Sequence, residues 1–216
     1  MKPETNYDNG SDIGNLIPDL IGIVLAGGES TRMGRDKSEL QYHDKMQRQH
    51  MFEMLTVFCK KTFISCNAEQ AKTIFDLPVI RDRFHKTGPM GGILSTFELF
   101  PDHAILTVPC DLPFLNAETI ACLIENRNTS KIATCFFNAE GKHPEPLVTI
   151  WEPAAYTVLQ KHFKEGCCSP YRVLADSPVE MVHAPNFLAF KNVNTADEYS
   201  EVMRVFDLSA TNKPLS

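Results

Sequence analysis

An excess of basic residues, cysteine pairs in C-x-x-C spacing and long apolar runs are all absent from this sequence, and each absence excludes a class of protein. Its 216 residues carry 21 Lys and Arg against 27 Asp and Glu, a formal charge of -6. Binding of a nucleic-acid backbone through counterion release needs a basic surface, so we expect no nucleic-acid partner. No stretch reaches the ~18 apolar residues needed to cross a bilayer, so we expect no membrane partner.

The cysteines are odd in number, seven in all, and none stands in C-x-x-C spacing. Several lie in apolar runs, where a free cysteine behaves as a small hydrophobic residue. The start of the chain shows no charged segment followed by an apolar run. We therefore expect structural thiols and a cytoplasmic protein. The adjacent Cys167 and Cys168 have no metal-ligand partner in the sequence, and we expect no redox role for them.

The length and composition fit a single α/β domain, since 43% of the residues are hydrophobic and 22% are charged. Residues 1–19 are mostly polar and show no periodicity, which predicts a flexible N-terminal tail. We place the domain at residues 20–206 and a C-terminal tail at residues 207–216.

Short apolar runs rich in β-branched residues alternate along the chain with segments of helical spacing. The strand candidates begin at Ile21 and continue at residues 62–66, 78–80, 104–108, 132–137 and 179–183. Helical spacing is found at residues 51–58, 93–100, 120–124 and 155–163. A capping box at Thr195 and Glu198 predicts a last helix that ends near Phe206. The alternation predicts one doubly wound, mostly parallel sheet that binds ligands at the carboxyl ends of its strands.

The most specific feature is the segment LAGGESTRMGRDK, residues 25–37, directly after the first strand candidate. Its glycines allow backbone N–H groups to approach phosphate oxygens, and Arg32 and Lys37 bring positive charge to the same place. It is not a P-loop, because Asp36 rather than Gly precedes Lys37. It is not a G-x-G-x-x-G loop either. An ordinary Gly-rich turn with solvated charges is the structural alternative.

Two later segments place backbone N–H groups or a carboxylate where an anion or a metal would bind. GPMGGI at residues 88–93 predicts a tight loop into a helix N-terminus, which can hold an anion, or else a plain connection. The apolar strand candidate at residues 104–108 delivers Asp111 between two prolines, as the only carboxylate expected at that strand end. A carboxylate there suits Mg²⁺, whereas a helix cap or a turn residue is the alternative.

Two polar segments in the second half of the chain complete the set. HPEPLV at residues 143–148 contains His143, whose side chain can titrate near neutral pH. NVNT at residues 192–195 contains Asn194, which can orient a ligand or cap a turn. A surface histidine and a structural asparagine are the alternatives.

The segments LAGG-x-S-x-RMG-x-DK, VIRD, GPMGGI, VPCD-x-P, HPEPLV and NVNT, in this order, resemble the MobA-type molybdenum cofactor guanylyltransferases. The resemblance spans about residues 21–199. It implies a Rossmann-like nucleotidyltransferase fold and an enzyme that uses Mg²⁺ to transfer GMP from GTP to the terminal phosphate of molybdopterin, with release of pyrophosphate. One departure is YHDKMQRQH at residues 42–50, which is more polar than the family's Gly-Lys-Pro-Leu-type turn and lacks its Gly and Pro.

The resemblance also implies roles for individual residues. The catalytic residues are Lys37 and Arg32 on the triphosphate and Asp111 on the metal. The nucleotide-binding residues are Leu25, Ala26, Gly27, Gly28, Lys37, Ser65, Asn67, Asp82, Gly88 and Asp111. The acceptor-binding residues are His143, Glu145, Asn192 and Asn194. The choice between Ser65 and Asn67 as the nucleotide contact stays open.

Guanine can be told from cytosine if the Asp82 carboxylate accepts hydrogen bonds from the N1 and N2 donors of the base. The alternatives are a related cytidylyltransferase or sugar-phosphate nucleotidyltransferase, and a non-catalytic nucleotide-binding protein on the same fold. Protein partners expected from the resemblance are molybdenum cofactor biosynthesis proteins or molybdoenzyme maturation proteins.

Overall fold

A computed structural model of the chain describes residues 19–27, 37–42, 45–84, 87–138, 140–193 and 195–211. Within them, seven strands form one sheet in the order β3-β2-β1-β4-β6-β5-β7. The strands are β1 (Leu20–Leu25), β2 (Lys61–Cys66), β3 (Val79–Arg81), β4 (Ala104–Pro109), β5 (Ala133–Phe137), β6 (Pro144–Trp151) and β7 (Val179–Val182). The helices are α1 (Gln47–Thr56), α2 (Pro89–Leu99), α3 (Ala117–Glu125), α4 (Ala155–Lys164), α5 (Pro170–Ala175) and α6 (Ala196–Thr211). The predicted N-terminal tail lies, apart from Asp19, outside these residues.

Strands β1 and β4 form the centre of the sheet, and every residue of both is buried. Uniformly apolar strands are typical of parallel sheets that are covered on both faces. The two strands pair in parallel from Leu20 opposite Ala104 to Leu25 opposite Pro109. Strand β2 pairs in parallel with the other side of β1. The residues that follow β1, β2 and β4 therefore emerge at the same edge of the sheet.

The prediction of a mostly parallel sheet is confirmed, with one antiparallel strand that we did not predict. Strand β6 lies between β4 and β5 and runs antiparallel to both, with Thr149 opposite Thr107 and Cys135. Its prolines, Pro144 and Pro146, hide the strand pattern in the sequence, although a strand tolerates proline at its first residue. Because β6 runs against β4, its first residues lie at the edge where β4 ends.

Helices cover both faces of the sheet, which confirms the doubly wound prediction. On one face, buried side chains of α1 and α3 pack on the sheet: Met51, Leu55, Ile120 and Leu123. On the other face, α2, α4 and α5 contribute Ile93, Phe97, Leu159 and Val173. Helix α5 was not predicted, because a helix of six residues is too short to show a clear period.

The predicted capping box begins the last helix. The Thr195 amide donates to Glu198 Oε2 at 3.0 Å, and the Glu198 amide donates to Thr195 Oγ1 at 3.2 Å. The predicted end near Phe206 is wrong, since α6 continues to Thr211. The sequence has no Gly or Pro between these two residues that would stop the helix.

All seven cysteines are free thiols. Burial raises the pKa of the Cys59 and Cys135 thiols to about 12, so both are unreactive at neutral pH. Cys167 and Cys168 are half-buried. In the part of the chain that the structure describes, no helix combines the length and hydrophobicity needed to cross a membrane.

Candidate active site

The first residues of the Gly-rich loop are held firmly at the carboxyl end of β1. The amides of Ala26 and Gly27 both donate to the carbonyl oxygen of Ser65, at 2.9 and 3.0 Å. Gln70 Nε2 donates to the Ala26 carbonyl at 3.0 Å. Because both amides are engaged in these bonds, phosphate-binding amides would have to come from residues further along the loop. Gly28, Arg32 and the side chain of Lys37 lie outside the described residues.

Asp82, the strand-end carboxylate of VIRD, lies against the start of this loop. Ser65 Oγ donates to Asp82 Oδ1 at 2.7 Å, and the Asp82 amide donates to the Cys66 carbonyl at 2.9 Å. The other carboxylate oxygen, Oδ2, faces Gly27, where an added Cβ would lie only 2.9 Å from it. A side chain at position 27 would therefore displace the carboxylate, which explains the glycine.

A glycine of the GPMGGI segment packs on the same pair. A Cβ added to Gly92 would lie 2.2 Å from Ser65 Oγ, closer than non-bonded atoms approach. Ser65 itself is only 1% exposed. Three motifs that are distant in the sequence therefore meet around the hydrogen bond from Ser65 to Asp82.

Burial raises the pKa of Asp82 to about 6, and the hydrogen bond from Ser65 opposes that rise. Desolvation disfavours the charged form of a carboxyl, whereas a donor to the carboxylate favours it. Asp82 therefore changes its charge at a mildly acidic pH, and it is ionised and able to accept hydrogen bonds above that pH.

Ser65 and Asn67, between which the sequence left the choice open, have different contacts. The Ser65 hydroxyl is buried and bonded to Asp82. Asn67 is exposed, and its Oδ1 accepts from the amides of Glu69 and Gln70 at 3.0 and 2.9 Å. Both bonds use the side-chain oxygen of Asn67, so its side-chain nitrogen, Nδ2, is left as a donor at the surface.

The predicted tight turn into a helix is present at Gly88. This residue precedes α2 with φ of 57° and ψ of -143°, and Pro89 begins the helix. A positive φ favours glycine, and proline at the first helical position loses no intrahelical hydrogen bond.

Asp111 follows β4 and is joined to the NVNT segment. The Val193 amide donates to the Asp111 carbonyl at 3.0 Å, which brings the residue next to Asn194 to the end of β4. The structural alternative of a helix cap is excluded, since the residue that caps α3 is Asn116, whose side chain accepts from the Thr119 amide at 2.9 Å. Asn194 itself lies outside the described residues, and Asn192 is exposed.

Asp111 is not the only carboxylate at this strand end, which corrects our expectation. Burial raises the pKa of Glu145, the Leu147 amide lowers it by donating to the carboxylate, and the negative charge of Asp111 raises it further. Glu145 is near the start of β6, and the pairing of Thr107 with Thr149, continued along both strands, leads to Asp111 and Glu145. We missed this pair because we did not identify β6 as a strand.

The donor set of this pair fits a hard divalent cation. Mg²⁺ binds through one or two carboxylates and completes its shell with water and phosphate oxygens. Within the described residues, no group of three or more His, Cys, Asp or Glu is arranged to hold a metal ion. An ion at Asp111 and Glu145 would therefore depend on a phosphate ligand for much of its coordination.

His143 lies in the turn before β6, two residues from Glu145. Its Nδ1 is 3.2 Å from the hydroxyl of Tyr171, and both side chains are exposed. The Asn138 amide donates to the His143 carbonyl and closes the turn. We missed Tyr171 because it belongs to α5.

The polar segment that departs from the family's turn also reaches this edge of the sheet. Tyr42 is buried, and its ring centroid is 5.1 Å from that of Tyr199 in α6. The Tyr199 hydroxyl donates to the Gln41 carbonyl at 2.9 Å. Burial raises the pKa of Tyr42, and the proximity of Tyr199 and Asp111 adds to the rise.

The chain is similar to several known proteins. The family described as "MobA-like NTP transferase domain" matches residues 22–179. A protein of Carboxydothermus hydrogenoformans named "Probable molybdenum cofactor guanylyltransferase" is 29% identical over an alignment of 196 residues, which covers 88% of this chain and 98% of that protein.

A "Molybdenum cofactor biosynthesis bifunctional protein" of Synechocystis sp. is 30% identical over 185 residues and 85% of this chain, and the chain spans 53% of its length. Among solved structures, molybdopterin-guanine dinucleotide biosynthesis protein A from Archaeoglobus fulgidus matches with a TM-score of 0.71 at 20% identity, over 88% of this chain and 99% of that one. At this identity the structural similarity shows the nucleotidyltransferase fold.

Proposed function

Because the chain belongs to the family of MobA-like NTP transferase domains, we propose that it transfers GMP from GTP to the terminal phosphate of molybdopterin. The products are molybdopterin guanine dinucleotide and pyrophosphate. One observation carries the proposal: Asp82 and the start of the Gly-rich loop meet at the same sheet edge as Asp111 and Glu145. The names of relatives that match over nearly their whole length support it.

We assign the guanine base to the end of β3. The ionised Asp82 carboxylate accepts hydrogen bonds from the N1 and N2 donors of guanine, an arrangement that cytosine does not offer. The hydrogen bond from the Ser65 hydroxyl holds the Asp82 carboxylate in place. Asn67, Gly88 and the backbone of residues 25–28 border the rest of the nucleoside.

Phosphate chemistry belongs to the loop and to the end of β4. Lys37 and Arg32 bind the triphosphate, and Asp111, with Glu145 beside it, would hold Mg²⁺. Transferases of this kind generally use a divalent metal. When bound, the ion neutralises charge on the phosphate oxygens.

The reaction is a displacement at the α-phosphorus of GTP. A terminal phosphate oxygen of molybdopterin forms a bond to the α-phosphorus. The bond from the α-phosphorus to the oxygen that it shares with the β-phosphate breaks, so that pyrophosphate leaves. The protein contributes position and charge stabilisation rather than a covalent intermediate. We assign His143, Glu145, Asn192 and Asn194 to the acceptor, and Tyr171 to orienting His143.

The seven free thiols fit a cytoplasmic protein, which is part of the proposal. Molybdenum cofactor biosynthesis proteins or molybdoenzyme maturation proteins are the proposed partners that deliver the acceptor or receive the product.

Two measurements test the function. Thermal shifts with GTP, CTP, ATP and UTP, each with Mg²⁺, should be largest for GTP, since a ligand at 100 times its Kd stabilises by about 2.7 kcal/mol. Pyrophosphate release from GTP should require molybdopterin. Release with CTP in place of GTP would show a cytidylyltransferase, and GTP binding without release with any acceptor would show a non-catalytic protein.

A further inference from the structure

Two adjacent polar residues at the start of α1, Gln47 and Arg48, are buried beside the candidate active site. Gln47 is 0% exposed and Arg48 6%. Burying a guanidinium costs free energy unless it is paired. Both residues lie in the polar segment of residues 42–50 and in the first turn of α1, so their burial needs an explanation of its own.

Arg48 holds the segment that directly follows Lys37. Its Nη1 lies 3.1 Å from Glu39 Oε1 and donates to Ser38 Oγ at 3.5 Å. Ser38 and Glu39 belong to the short 3-10 helix Lys37–Glu39, and Ser38 is buried. The position of the Lys37 backbone is therefore tied to the first turn of α1.

Gln47 holds the segment that directly follows Asp111. Its side-chain Nε2 donates to the Leu112 carbonyl at 3.3 Å, and its backbone amide donates to the Leu40 carbonyl at 2.7 Å. The neighbouring carbonyl, that of Asp111, accepts from Val193. Consecutive residues in a helix point about 100° apart, so one rigid turn reaches two different segments.

We propose that Gln47 and Arg48 are positioning residues that fix the separation between Lys37 and Asp111. This inference rests on the proposed function, in which the first residue binds the triphosphate and the second binds Mg²⁺. The pair does not touch the substrates; it sets the distance between the two groups that do. Displacement of a catalytic group by about 1 Å can cost on the order of 10²-fold in rate. The pair, which we call the Gln47–Arg48 clamp, therefore acts on catalysis more than on affinity for the base.

The test compares Arg48→Met and Gln47→Met, which keep apolar volume and remove the donors, with Arg48→Lys. We expect kcat for pyrophosphate release to fall about tenfold or more in both Met variants. GTP with Mg²⁺ should bind more weakly, whereas GMP, which lacks the β- and γ-phosphates, should bind as in the wild type. Arg48→Lys should recover part of kcat, because lysine can still reach Glu39.

Arg127→Met is the matched control. Arg127 makes two hydrogen bonds to the buried Glu152, at 2.7 and 2.8 Å, and Glu152 follows the end of β6 that lies farthest from Glu145. Its loss should lower thermal stability and leave the kcat of the folded protein unchanged. If Arg48→Met or Arg127→Met does not fold, Arg48→Gln and Arg127→Gln take their places as variant and control.

Wild-type kcat and GTP affinity in the Arg48 and Gln47 variants would overturn the proposal. So would losses for GTP and GMP in equal proportion. Wild-type protein that releases no pyrophosphate would overturn the proposed function instead, and the ratio of GTP to GMP affinity would then still decide whether the clamp positions the triphosphate site.

Discussion

Asp82 is the residue whose surroundings most directly couple fold and function. It is kept in a desolvated corner by the Ser65 hydroxyl and the close approach of Gly27. A carboxylate that accepts from guanine must be ionised, yet burial favours the neutral form and raises the pKa of Asp82 to about 6. Its charge, and with it the base recognition that we propose for Asp82, therefore depends on pH in an accessible range.

We expect the affinity for GTP to fall as the pH drops below about 6, because protonated Asp82 cannot accept both hydrogen bonds from the base. In Ser65→Ala the midpoint should move to higher pH, since the hydrogen bond that lowers the pKa of Asp82 is lost. In Asp82→Asn the pH dependence should disappear and GTP should lose its advantage over other nucleotides. Calorimetric titrations between pH 5 and 8 give the answer, and a wild-type affinity that is constant over this range would remove Asp82 from the base site.

The same residue should cost stability at neutral pH. The folded-state pKa of Asp82 is raised from 3.8 to about 6, so the folded protein binds a proton more tightly than the unfolded chain. Stability from this group is therefore present at low pH and lost as the pH rises through that window. Asp82→Asn should raise the free energy of unfolding by about 1–3 kcal/mol at pH 8 and by much less at pH 4. Urea unfolding at the two pH values measures this, and an equal effect at both would contradict it.

Asp111 and Glu145 form the second polar centre. If they hold Mg²⁺ through carboxylate oxygens, Asp111→Asn should raise the Mg²⁺ concentration needed for half-maximal transfer by about tenfold or more, with the fold unchanged. Glu145→Gln should act in the same direction. A turn role would tolerate asparagine, since Asn and Asp serve equally in such positions. Mg²⁺ titrations of the variants decide, and unchanged metal dependence would leave Asp111 a structural role.

At the scale of elements, the sequence predicts best where burial is uniform. Strands β1 and β4 are buried and almost entirely apolar, and the capping box of α6 is a local hydrogen-bond pattern. A few neighbouring residues therefore suffice to predict each of them. Strand β6 was not predicted because Pro144 and Pro146 obscure its pattern, and the register of its pairing with β4 cannot be read from the sequence alone. The proximity of Glu145 to Asp111 depends on that register, and the contact of Tyr171 with His143 joins α5 to the turn before β6, so neither follows from a local sequence pattern.

The packing of α2 on β2 gives a prediction at this scale. Alanine in place of glycine inside a helix normally stabilises by about 1 kcal/mol. In Gly92→Ala the new Cβ would meet Ser65 Oγ at 2.2 Å, so we expect Asp82 to shift and GTP binding to weaken. Gly166→Ala is the control, since Gly166 has φ of 82° and no atom within 4 Å of an added Cβ. Both variants should lose stability, as seen in thermal melts, but normal GTP binding by Gly92→Ala would contradict this account.

At the scale of the molecule, the two halves of the sheet have different roles in the proposed function. The parallel half, β1 to β4, ends in the segments assigned to the nucleotide, and β6 crosses back to place residues 143–148 opposite the end of β4. Family and fold were predictable from the order of the motifs, whereas the way β6 joins the two halves was not. An acidic chain can bind a triphosphate only if its cations are local, which is why the loop with Arg32 and Lys37 is central to the proposed function.

Label transfer from GTP tests that function most directly. GTP labelled at the α-phosphate and GTP labelled at the γ-phosphate are incubated in turn with the protein, Mg²⁺ and molybdopterin. Guanylyl transfer predicts the α-label in molybdopterin guanine dinucleotide and the γ-label in pyrophosphate. A γ-label on the acceptor would show a kinase, and free inorganic phosphate with an unmodified acceptor would show a GTPase; either result would contradict the account.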